Sequence, residues 1–310
     1  MNLQFNTTIS DAKFSFITEV ALRSAIVKAG RKNIVFVEGY DDKVIFEILY
    51  AEYLDKLFFI EVSLEEAKRL NSHQNPHVVL GWKGVKQCLT ACIKNLPTEK
   101  RFYGVIDRDL KTDQQVRTEK EKPCYEGRLF IFSERYTLEN YFIEINILLE
   151  FLKGQSIKHK KLIPVINERE KFYKEIFQPV LVCLKYLAVA NLTLHFFDNS
   201  QDFLEDNAPC DKAVIIRKLI DKLKVIEQEV VKSQFQYYEK NVNSVSEVHK
   251  FASAKKYFAY HFNKKLKENA DVNIQLNNHK SELARILKSH LLPKDFRDLL
   301  SLVLQHASHG

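Results

Sequence analysis

Two short segments place acids where metal chemistry could be done. One is Val37-Glu38-Gly39-Tyr40-Asp41-Asp42, and the other is Gly104-Val105-Ile106-Asp107-Arg108-Asp109. In both, a run of apolar residues ends at a carboxylate. In an open α/β sheet, ligands bind outside the carboxyl ends of the strands. If the two strands are neighbours, three or four carboxylates converge there. Such a cluster repels itself unless a cation sits in it. Oxygen donors of this kind suit Mg²⁺ or Mn²⁺ rather than Zn²⁺. Alternate side chains of Asp107-Arg108-Asp109 can face one ion as the chain leaves a strand. Arg108 then points the other way, to a phosphate or to Glu134. Gly39 lets the backbone turn sharply close to a ligand. The plainer reading of such acids is capping, since Asp and Glu also favour helix starts.

The elements that must position these acids follow from the apolar pattern. Residues 33–39 hold four apolar residues in a row (Ile34 to Val37), mostly β-branched and ending at an acid and a glycine, as a strand buried on both faces requires. Further strands are expected at 57–62, 77–81, 102–107 and 129–132. Helices are expected at 10–30 (stopped by Gly30), 41–55 and 84–95. Asp41 and Asp42 fall in the first turn of the second of these, where negative charge suits the helix dipole. Alternation of this kind means an α/β layer with a mostly parallel sheet and helices on both faces. Beyond about residue 137 the spacing becomes helical, at 138–152, 168–177, 211–238, 252–268 and 281–291, with a loop at 198–211. The expected organisation is an N-terminal helical segment (1–32), an α/β domain (33–150) and a helical domain (151–310).

Composition bounds the function. The 310 residues are 45 % hydrophobic and 28 % charged, as in ordinary globular chains. A formal net charge of +7 makes a polyanion partner more plausible without establishing one. The five cysteines form no CxxC pair and read as free thiols of a reducing compartment. The histidines show no HExxH spacing, which excludes a zinc protease of that kind. No GxxxxGK[ST] occurs, so no P-loop ATPase is expected in this chain. The first residues lack a basic-then-apolar signal pattern, and no unbroken apolar run reaches membrane length. The expectation is a cytoplasmic protein away from membranes.

The two acid segments resemble the Toprim domain, shared by topoisomerases, bacterial primases, small ribonucleases and the overcoming-lysogenization-defect (OLD) family nucleases. Ser133-Glu134-Arg135-Tyr136-Thr137-Leu138-Glu139-Asn140-Tyr141-Phe142 narrows the match, being similar to the xLENYL segment of OLD-related Toprim nucleases. That group includes the phage-defence effectors of PARIS-type systems, which work with a separate ABC-type ATPase. The resemblance covers about residues 33–145 and implies an N-terminal Toprim, Rossmann-like, sheet followed by a mainly helical region. It implies a metal-dependent endonuclease acting on RNA, tRNA or DNA. Glu38 would be a metal ligand or general acid/base, Asp107 and Asp109 the metal-binding pair, Asp42 an added ligand, and Glu139 the acid of a second metal position. Two Mg²⁺ or Mn²⁺ ions about 4 Å apart would then clamp the attacking and leaving oxygens. OLD-type nucleases also use a late lysine, usually after a glycine. Here Ala254-Lys255-Lys256-Tyr257 lacks that glycine, so Lys255 and Lys256 both stand as candidates.

Nucleic acid and an ABC-type ATPase are the partners the resemblance implies, and a homodimer is compatible with it. Lys158-His159-Lys160-Lys161, the Lys264, Lys265 and Lys267 group, and the Trp82-Lys83-Gly84-Val85-Lys86 segment are further surfaces that could meet a polyanion. Two alternatives compete: a non-catalytic Toprim-like adaptor, and a Toprim ribonuclease of RNA maturation.

Overall fold

The computed structural model describes residues 26–62, 81–199, 203 and 211–305. The first 25 residues, the strand expected at 77–81 save for Gly81, and most of the loop expected at 198–211 lie outside them. The chain divides into two compact units. The first comprises the described parts of Met1–Asp107, Asp113–Phe132 and Leu292–Gly310; the second comprises Arg108–Thr112 and Ser133–Leu291.

The first unit is an α/β layer. Four parallel strands, β1 (Asn33–Val37), β2 (Leu57–Glu61), β3 (Phe102–Ile106) and β4 (Leu129–Ile131), lie in the order β2-β1-β3-β4. A helix ends at Gly30, whose φ of +57° is open to glycine at little cost, so the expected stop holds. Helix α1 (Tyr40–Leu49) follows β1, α2 (Gly81–Asn95) precedes β3, and α3 (Asp113–Lys120) precedes β4. The helix expected at 41–55 is shorter, its last part being the 3₁₀ turn Ala51–Tyr53.

Strand alternation sends side chains to two covered faces. Ile34, Phe36, Phe102, Ile106, Leu129 and Ile131 pack with Val85, Cys88, Leu89 and Cys92 of α2. A Cβ at Gly104 would lie 3.0 Å from Val85 Cγ1 and 3.3 Å from Leu89 Cδ2, so glycine lets α2 dock closely on β3. On the other face the rings of Phe46, Phe59, Phe132 and Phe296 stack or meet edge-on. Phe296 belongs to the C-terminal helix Lys294–Leu304, which returns to this unit. Tyr50 donates its hydroxyl to the Phe296 carbonyl at 2.8 Å, and Asn33 Nδ2 donates to the Val303 carbonyl at 2.5 Å.

The second unit is helical. It contains α4 (Ile145–Ser156), α5 (Gln178–Phe196), α6 (Lys212–Lys222), α7 (Gln228–Asn241), α8 (Val245–Phe251), α9 (Ala259–Ala270) and α10 (Lys280–Ser289), with short turns between. The single helix expected over 211–238 is two helices. Leu223 leaves the helical range at φ −104° and ψ 42°, and the chain restarts at Glu227. The two halves fold back, and Lys212 at the start of one pairs with Glu239 near the end of the other at 2.5 Å.

Helix α5 went unforeseen. It is the central element, with α6, α7 and α8 packed against it. Its buried Asn191 donates to the Phe251 carbonyl and accepts from the Phe203 amide, both at 2.7 Å. The continuous helix Arg169–Phe196 has the length and composition of a membrane span, although Lys185 interrupts its apolar run, and 67 % of its apolar window is buried inside the fold. Cys88, Cys92 and Cys124 are free thiols as expected, whereas Cys183 is disulfide-bonded, which corrects that reading for one cysteine.

Candidate functional site

Strands β1 and β3 are neighbours, so the acids that end them meet. Glu38 leaves β1 one residue after the buried Val37, and its Oε1 accepts the backbone N–H of Asp107 at 2.7 Å. The bond fixes the Glu38 carboxylate beside the residue that ends β3. Both acids are half-buried. The second Glu38 oxygen faces Gly81, the first residue of α2, which has φ +59°. A Cβ added at Gly81 would lie 3.5 Å from that Oε2. Glycine at 81 places no side chain against that oxygen.

Asp42 takes the plainer role as well. Its Oδ2 accepts the Gly39 amide at 3.1 Å across the first turn of α1, which ties up one oxygen in a cap. A carboxylate is also a ligand type suited to Mg²⁺.

Asp109 belongs to the second unit. It holds a left-handed backbone at φ +52°, donates its amide to the Tyr136 carbonyl at 2.9 Å, and lies 3.3 Å from Lys111 Nζ. A non-glycine residue in that conformation costs on the order of 1 kcal/mol. Arg108 is fully buried. It donates to the Ser133 carbonyl and stacks its guanidinium 5.7 Å from the Phe251 ring centre. A buried guanidinium of this kind holds the turn and does not present itself to a phosphate from solvent.

Glu139 is the most heavily engaged of the acids. It sits in the 3₁₀ turn Leu138–Phe142, only 7 % exposed. Its Oε1 lies 2.8 Å from Lys280 Nζ and 3.6 Å from Lys255 Nζ. Burial alone would raise its pKa. The charges of Lys280 and then Lys255 outweigh that and hold it below the usual carboxylate range. Glu139 is therefore a charged, ion-paired carboxylate.

Its neighbour Asn140 explains why Lys255 is there. The side chain of Asn140 is fully buried. Its Oδ1 accepts from the Thr137 hydroxyl at 2.9 Å and the Ala254 amide at 3.0 Å. Its Nδ2 donates to the carbonyls of Ala252 at 2.7 Å and His249 at 3.2 Å. The amide thus stitches the Glu139 turn to residues 249–254. The next residue, Lys255, lies in the π-helical turn Ala254–Phe258 that leads into α9. Such turns recur at functional sites. Lys255 is half-exposed, with 51 % of its side chain accessible, while its carbonyl accepts from Asn277 Nδ2 at 2.8 Å. Lys256 shares the same turn, and its side chain lies outside the described residues.

Lys280 is the functional candidate that sequence reasoning missed. A faint signal existed: it is a cation at the first position of α10, where the helix dipole disfavours positive charge. Its buried partner compensates. The basic runs read as polyanion surfaces are exposed. Lys161 pairs with Asp271 at 2.5 Å and Lys265 with Glu268 at 2.7 Å, both near the surface.

The five expected metal ligands are thus distributed as follows. Glu38 and Asp107 are adjacent, Asp42 caps α1, Asp109 faces Lys111, and Glu139 lies between two lysines. Among the described residues, no group of three or more His, Cys, Asp or Glu side chains is gathered closely enough to hold a metal ion. The donor types still fit a hard cation at one place, the ends of adjacent strands where Glu38, with its Oε2 facing Gly81, meets the backbone of Asp107. No family model and no curated protein matches the chain.

Proposed function

We propose that this chain is a Mg²⁺- or Mn²⁺-dependent endonuclease of the Toprim kind, cleaving phosphodiester bonds in RNA, tRNA or DNA. The observation that carries the reading is the 2.7 Å hydrogen bond from the Asp107 amide to Glu38 Oε1, which joins the acids ending two neighbouring parallel strands. Glu38 and Asp107 would hold the ion, with Asp42 and Asp109 as the further acids of the two motifs. When bound, the ion supplies Lewis-acid stabilisation of charge on the phosphoryl oxygens. The Asp107 amide orients Glu38, whose carboxylate takes or returns a proton at the attacking oxygen. Like charges hold such acids apart until a cation offsets their repulsion. Lys255 and Lys256 both stand as the late lysine that would offset charge on a phosphate.

The regulatory part of the proposal follows from the xLENYL-like segment and the absence of a P-loop motif. In it, the chain is a toxic effector of anti-phage defence in the cytoplasm, restrained by an ABC-type ATPase. One observation favours a second reading, a non-catalytic Toprim-like adaptor: Glu139 is already neutralised by Lys280 and Lys255. Incubation with plasmid and with total tRNA, in Mg²⁺ and in EDTA, separates the two. The chain is tested alone and after co-expression with its ATPase. The nuclease reading expects Mg²⁺-dependent cleavage of at least one substrate. The adaptor reading expects none, and expects Asp107→Ala/Asp109→Ala to leave cellular function untouched.

A further inference from the structure

The chain contains a single tryptophan, and it stands on the surface of the first unit close to Glu38. Trp82 is the second residue of α2, 37 % exposed, directly after the Gly81 that faces Glu38 Oε2. Two lysines hold their ammonium groups over its ring, Lys83 at 5.3 Å and Lys86 at 4.6 Å from the centroid. Lys86 is also committed to Glu119 at 2.6 Å, which fixes it in place. Lys83 is exposed.

A large exposed aromatic next to two cations has a specific chemical match. Sequence-tolerant binding of single strands combines an aromatic platform for a base with positive charge for the adjoining backbone. Inside a duplex both faces of each base are covered by stacked neighbours, so the interior of a duplex cannot use such a platform. We propose that Trp82 stacks an unpaired base of an RNA or DNA strand, with Lys83 on the adjoining phosphate, and so delivers the neighbouring phosphodiester to Glu38. The inference rests on the nuclease reading for what happens at Glu38, but the stacking itself is a binding property and is measured as one.

Because Trp82 is the only tryptophan of the sequence, its fluorescence reports on the platform with no other tryptophan to remove. The intact chain carrying Glu38→Gln is titrated in EDTA with labelled 12-mers: single-stranded RNA, single-stranded DNA of the same sequence, and the DNA duplex. Anisotropy of the label gives binding, and tryptophan emission gives stacking. Both single strands, or only one of them, should bind and quench the emission, and the duplex should bind without quenching. Trp82→Ala should weaken single-strand binding by roughly 5- to 100-fold, with Trp82→Phe between the two, and leave duplex binding unchanged. Single-strand binding without quenching, equal quenching by the duplex, or no binding at all would overturn the proposal. Unquenched binding in a chain that still cleaves would leave the nuclease reading standing, whereas quenching in a chain that never cleaves would do the reverse.

Discussion

Removing the charge of Lys280 is the sharpest perturbation of the second unit. Lys280→Met keeps most of the aliphatic stem and deletes the ammonium 2.8 Å from Glu139 Oε1. At an effective dielectric of about 20, that contact is worth roughly 6 kcal/mol of Coulomb attraction, against several kcal/mol for taking each ion out of water. The intact pair therefore contributes little net stability. Breaking it is another matter, because an uncompensated buried charge typically costs about 3–5 kcal/mol. Lys255, 3.6 Å away and half-exposed, still offsets part of the charge, so the low end of that range applies. We expect Lys280→Met to destabilise the second unit by about 3 kcal/mol, or roughly 6–12 °C in midpoint for a unit of this size. The double variant Glu139→Leu/Lys280→Met removes both charges and should return to within about 1 kcal/mol of the parent. Urea unfolding followed by circular dichroism gives all the corners of the cycle. A single variant within 0.5 kcal/mol of the parent (on the order of ordinary surface changes), or a double variant as unstable as the single, would refute the reasoning.

Other outcomes follow from the same geometry. Asn140→Ala leaves the Ala254 amide and the Ala252 and His249 carbonyls without their side-chain partner; it should cost roughly 3 kcal/mol or more in urea unfolding and expose the 249–254 backbone to hydrogen exchange. His249 is fully buried, and burial, with Arg135 adding repulsion, pushes its pKa down to about 3. Its unfolded form binds a proton below about 6.5, so stability should fall as pH drops from there towards 3. His249→Gln should flatten that part of the unfolding curve. Glu139 acts in the same direction at lower pH. Its carboxyl is held below the ordinary value, so its contribution is present above the unfolded pKa and is lost as pH falls through the folded one. Glu139→Gln should therefore reduce the pH dependence below about 4.5, the ordinary carboxylate range, and leave the share of His249 in place.

What could be read in the sequence is what is local. β1 and β3 are buried on both faces and read as unbroken apolar runs, so the ends that carry Glu38 and Asp107 were legible. Gly30 and the acids of the first turn of α1 were legible for the same reason. Helix α5 was not. It is apolar on nearly every side, and a search for amphipathic spacing finds nothing in such a helix. The break between α6 and α7 was hidden because both halves keep helical spacing across it. The pairing of Glu139 with Lys280 joins residues 141 apart in the chain, and that of Asn33 with Val303 joins residues 270 apart. Neither partner carries a local mark of the other. The metal ligands fall between these cases: Glu38 and Asp107 follow from strand order, but the capping bond of Asp42 and the lysines around Glu139 depend on side-chain geometry.

A divalent ion held by Glu38 and Asp107 is the central requirement of the proposed chemistry. Mn²⁺ binding, followed by the loss of the free-ion electron paramagnetic resonance signal, tests it without any substrate, activating partner or cleavage assay. The parent chain should bind Mn²⁺, Mg²⁺ should compete, and Glu38→Gln or Asp107→Asn should weaken binding by at least about tenfold while the circular dichroism spectrum is unchanged; removing one ligand from such a site costs more than the roughly 1.4 kcal/mol that factor represents. Binding that is equally tight in Glu38→Gln, or absent from the parent at millimolar Mn²⁺, would contradict it.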